Sequence, residues 1–122
     1  MSHTTAARTR RMTNLDLATA LGSKSAALGE ALALHLKAHG TLIPHTFMGL
    51  VLTHVRAIAP AGNCPAEIAA ILDSLESGME AGDRETRSVI SMSFLSEAER
   101  EPFYSVIEPH LGPRARAHFD VG

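Results

Sequence analysis

Apolar residues recur along the chain at helical spacing, and stop signals divide them into segments. Thr13 or Asn14 can cap a first short helix carrying Leu15, Leu17, Ala18 and Leu21, with Gly22 as its stop. Ser23 is the expected cap of a longer helix through His39, whose Leu28, Leu32 and Leu36 lie on one face, flanked by Ala27 and Ala31. Gly40 stands where a left-handed C-terminal glycine belongs.

The most apolar run, Leu42 to Val51, follows. Pro44 suits the first turn of a helix, where its missing N–H costs nothing. Phe47, Leu50, Val51, His54, Val55 and Ile58 then form a broad stripe, widened by Met48 and Leu52. A helix apolar over so much of its circumference is expected at the centre of the fold, with Pro60 beyond its end.

Asn63 or Cys64 can cap the next helix, with Pro65 in its first turn. Ile68, Ile71, Leu72, Leu75 and Met79 make its apolar face, and Asp73, Glu76, Ser77 and Glu80 its polar one. Gly82 ends it, and Asp83 can cap a helix bearing Val89, Ile90, Met92, Phe94 and Leu95. Ser96 and Glu99 have the spacing of a capping box. Pro102 should break the segment or start a new turn. Phe103, Tyr104, Val106, Ile107 and Leu111 pack partly inward, and residues 114–119 form a last short helix.

No alternating stretch is long enough for a strand, and Thr41–Ile43 alone cannot build a sheet. The expected fold is therefore all-α: a single-domain compact bundle of about five to seven helices over residues 13–122, behind a disordered basic tail at 1–12.

Composition agrees with this. The 122 residues suffice for one core without staples, and aromatic residues make up only 4%, which disfavours strands. Cys64 is the single cysteine, so no intrachain disulfide or cysteine-based metal site can form, and a cytoplasmic location is expected. No apolar run approaches the roughly 18 residues of a membrane span.

The formal net charge of -2 argues against a duplex-binding face. A weaker alternative, a DNA-binding regulator, would rest on Arg8, Arg10 and Arg11 with Arg114 and Arg116. Charge is unevenly spread. Residues 60–101 hold nine acidic residues against three arginines, while His110, Arg114, Arg116 and His118 make the C-terminal end basic. Asp73, Glu76 and Glu80 share one helix face, able to orient a basic protein partner.

Seven histidines invite a test for metal. His35 and His39 are four apart, and His45 could add a third ligand from the next helix. The pair lacks the His-Glu-x-x-His pattern, and Lys37 between them repels a cation. A histidine-dependent metal enzyme or sensor is therefore the second reading. His45, beside Pro44, is expected to hydrogen-bond a nearby carbonyl or carboxylate and order the turn. No serine sits in a nucleophile elbow, the glycines form no phosphate loop, and no catalytic residue or cofactor is expected.

Several stretches resemble an uncharacterised family of small bacterial all-helical proteins. They are Leu34-His35-Leu36 leading to Leu42-Ile43-Pro44-His45-Thr46-Phe47-Met48, Ile71-Leu72-Asp73-Ser74-Leu75-Glu76 with Gly82-Asp83, then Ser93-Phe94-Leu95 and Leu111-Gly112-Pro113. The resemblance covers about residues 30–115 and implies an immunity or antitoxin-like role, with no catalytic residue to carry over. Arg100-Glu101-Pro102 departs from the pattern and leaves the helix path there open. The reading favoured by the sequence is a non-enzymatic protein-binding module that neutralises a partner, such as a basic toxin domain, by steric and electrostatic cover.

Overall fold

A computed structural model describes residues 11–59 and 65–120. Residues 1–10 of the expected tail at 1–12 and the expected cap at Asn63 or Cys64 lie outside them. Met12, assigned to the tail by sequence, is instead bound into the fold. Its N–H donates to the Ala81 carbonyl at 2.9 Å, and its own carbonyl accepts from the Asp83 N–H at 2.9 Å. This isolated parallel bridge to Gly82 is the one β pairing among the described residues.

The fold is an all-α bundle in one domain. Helix α1 spans Asn14–Lys24 and opens with a full capping box between Thr13 and Asp16. Helix α2 spans Ala26–His39. Its cap is Ser25, not Ser23, and Gly22 does not stop α1. Gly22 serves the crossing of the two helices: a Cβ there would lie 3.2 Å from the Gly29 Cα. Ser25 ends α1 in extended backbone and accepts the Leu28 N–H through its hydroxyl. Gly40 closes α2 with φ of 78°, the left-handed conformation.

Helix α3 spans Pro44–Ile58 with the proline in its first turn, as expected. Phe47, Met48, Val51, Leu52 and Val55 are buried. Leu50, assigned to the stripe by sequence, is 39% exposed, because the bundle covers α3 on the Phe47 and Val55 side only. Helix α4, Pro65–Ala81, buries Ile68, Ile71, Leu72 and Leu75.

Asp83 caps helix α5, Arg84–Ile90, accepting the Thr86 N–H at 2.8 Å. The helix then widens into a π-helical turn over Ser91–Leu95 and continues as α6, Ser96–Ala98. Ile90 and Leu95 are five apart, and an α-helix would turn them roughly 140° from each other. The wider turn keeps both fully buried beside Phe94. It also corrects two expectations. Met92 points outward, 61% exposed, and Ser96 starts no new helix and makes no cap bond. The Ser96 hydroxyl lies 3.3 Å from the His118 Nε2.

Turns through Glu99–Phe103 carry Pro102 at the surface. Helix α7, Tyr104–Ile107, runs into a 3-10 turn, Glu108–His110, and the final helix α8 spans Pro113–Asp120. Among the described residues no helix is long and apolar enough to cross a membrane.

Candidate functional site

Three side-chain clusters stand outside the apolar core. The first contains the predicted acidic face. Asp73 and Glu80 are exposed, two turns apart on α4, as the periodicity implies. Glu76 between them is not part of a free acidic surface. Its two oxygens accept the Arg114 and Ala115 N–H groups at 2.8 and 2.9 Å. A carboxylate there satisfies the open N–H groups of α8 and meets the positive end of its dipole. Glu76 therefore fastens the C-terminal helix onto α4. Replacing Glu76 with alanine should cost about 1–2 kcal/mol in thermal unfolding, and a neutral change would show that the cap contributes nothing.

An open groove of about 510 Å³ lies where α4 meets the chain before α8, lined by Ala69, Asp73, Glu76, His110 and Pro113 among others. The Asp73 carboxylate makes no hydrogen bond or ion pair with any described residue. The groove thus offers one uncommitted negative charge beside small and apolar walls.

The second cluster joins four helices. The Glu67 carboxylate, in the first turn of α4, accepts the Ser25 hydroxyl at 2.7 Å and lies 2.6 Å from the His54 Nε2. The Ser25 hydrogen bond, followed by that from His54, holds Glu67 below the usual carboxylate range. An ionised carboxylate only accepts, so the proton between them sits on His54 Nε2. Ser25 is used twice, donating to Glu67 and accepting from Leu28. A second groove of about 440 Å³ runs past Lys24, His54, Glu67 and Ala70. No local period announces this cluster; its members are separated by 42 and 13 residues.

The third cluster is His45 with Ser93. The His45 Nδ1 contacts the Ser93 hydroxyl, which the π-helical turn carries to the start of α3. The sequence expectation of a carbonyl or carboxylate partner is thus corrected to a serine. A hydroxyl against an imidazole is half of a nucleophile–base arrangement. Among the described residues no carboxylate orients the other ring nitrogen, so the arrangement lacks its third member.

The three histidines that the alternative reading would need for a metal are not brought together. The His35 and His39 rings meet at a 49° tilt with centroids 4.6 Å apart, but the His35 Nε2 accepts the Ile43 N–H at 3.0 Å. Burial, then the neighbouring His39, hold the His35 imidazole below its usual pKa. His35 is a neutral acceptor that fastens the α2–α3 turn, while His45 is engaged with Ser93. Among the described residues no three metal-ligating side chains gather at one point. Of the proposed DNA-contacting arginines, Arg8 and Arg10 lie outside the described residues. Arg116 is paired with Glu108 at 2.8 Å. The chain matches no family model, and no curated protein or solved structure matches it significantly.

Proposed function

We propose that the protein is a non-catalytic binding module that receives a basic side chain of a protein partner in the groove at Asp73. The observation that carries this reading is an exposed carboxylate with no partner among the described residues, set in a concave surface of about 510 Å³. Glu80 continues the negative face two turns along α4, while Glu76 holds one wall in place. Such binding needs charge complementarity and steric cover, no chemistry. An antitoxin-like role in the cytoplasm, opposite a basic toxin domain, belongs to this reading through the family resemblance of the sequence.

Carboxylate-to-amine crosslinking in native cells tests it. Crosslinks joining Asp73 or Glu80 to a lysine of another protein are expected, and are lost in the Asp73→Asn/Glu80→Gln variant with the helical circular dichroism unchanged. Glu76 is left intact in that variant, because changing it would release α8. Undiminished partner capture by the variant would remove the groove from consideration.

A further inference from the structure

Helix α2 is apolar on two sides, and the bundle uses one. Leu28 and His35 turn inward, and the helix packs against α1 and α3. Ala27, Ala31, Leu34 and Ala38 recur at spacings of four, three and four, so they form a second stripe along the helix. Leu34 at its middle is 62% exposed, and Ala27 and Ala38 are exposed too. Leu50 of α3, 39% exposed, lies one helical step outward from Phe47, whose ring meets His35 of α2.

Two charges flank this stripe on one side. Glu30 and Lys37 are seven residues apart, both exposed, and neither has an ion-pair partner among the described residues. We propose that α2 packs antiparallel against α2 of a second copy of this chain. A two-fold axis between residues 32 and 33 sets Ala31 of each copy against Leu34 of the other, and Ala27 against Ala38. The same axis brings Glu30 of each copy to about 3 Å, two residues' rise, from level with Lys37 of the other, within reach of the two long side chains. One rotation thus satisfies the apolar and the charged pairs together, as an isologous contact requires. A parallel pairing would put the charged flanks of the two copies on opposite sides of the contact and leave Glu30 and Lys37 without each other, so the charges choose the antiparallel orientation. The alanines let the two helix axes approach closely, and Leu34 fills the space between them.

Sedimentation equilibrium over a concentration series tests the contact. The wild-type mass should rise from 13.0 kDa toward twice that value. Leu34→Asp should raise the dimer Kd by about a hundredfold or more while leaving the helical circular dichroism unchanged, since the side chain is exposed. Glu30→Lys or Lys37→Glu alone should each raise it about tenfold. Mixing these two single variants should restore association, because each then presents only the charge the other needs. A wild type monomeric up to its solubility limit overturns the proposal. So does a dimer indifferent to Leu34→Asp, or single charge variants that stay apart when mixed.

Discussion

Replacing Phe47 with alanine lowers the unfolding free energy by about 3–5 kcal/mol. The side chain is 2% exposed and among the largest in the core. It stands in the first turn of α3, where its N–H donates to the Ile43 carbonyl at 2.9 Å. Its ring also meets His35 at 5.9 Å between centroids, and His35 holds the Ile43 N–H. Truncation therefore opens a cavity under the hinge between α2 and α3 as well as removing apolar contact. Surrounding helices anchored by their own caps collapse into such a space only partly, so both contributions are felt. Urea denaturation measures the loss as a lower midpoint at unchanged slope. A near-neutral midpoint would show that α3 does not organise the core.

Removing the Glu67 carboxylate as Glu67→Ala should cost about 2–3 kcal/mol. It is the shared acceptor for Ser25 and His54, so one change strands two donors on two other segments. The pH dependence follows from the lowered pKa of the folded state. A carboxylate stabilised in the folded protein contributes fully above its unfolded pKa of about 4.3 and loses that contribution as pH falls through the lower folded value. The stability gap between wild type and Glu67→Gln should thus shrink below about pH 4. A gap that persists undiminished at low pH would show that the charge on Glu67 plays no part.

Much of the fold was readable because it is written locally. Thr13, Gly40, Pro44 and Asp83 each act within four residues of their own backbone, and each ends or starts a helix as its chemistry suggests. The stripe Ile68, Ile71, Leu72 and Leu75 reports a face, and that face is buried. Ser23, the cap expected from sequence, shares its capping chemistry with Ser25; the cap falls to Ser25 through the crossing at Gly22 and the bond to Glu67. A period of 3.6 does not describe Ser91–Leu95, which obey a longer one, so the π-helical turn is not legible from the spacing and Met92 falls outside the core.

The polar clusters were not legible at all. Glu76 to Ala115, Ser25 to Glu67 and His45 to Ser93 span 39, 42 and 48 residues. Spacing says which face a residue shares, but not which distant segment arrives there. Asp73 and Glu80 lie exposed on the face their period implies, while Glu76 between them is taken up by a helix whose docking no local period announces.

The bond pattern at Met12 has a consequence for how the chain is made. The N-terminal segment leaves the ribosome before the turn that receives it exists. The Thr86 hydroxyl, which also donates to the Met12 carbonyl, lies 74 residues further along. At about 5–20 residues per second, the start of the chain waits roughly 4–15 s for its binding place. During that interval α1 can pack on α2 and α3, but Met12 has only water for its backbone groups. Completion of the turn at Ala81–Asp83 closes the circuit between Met12 and a segment far along the chain, and nascent chains ending before it should be trimmed by protease at the N-terminal side of α1.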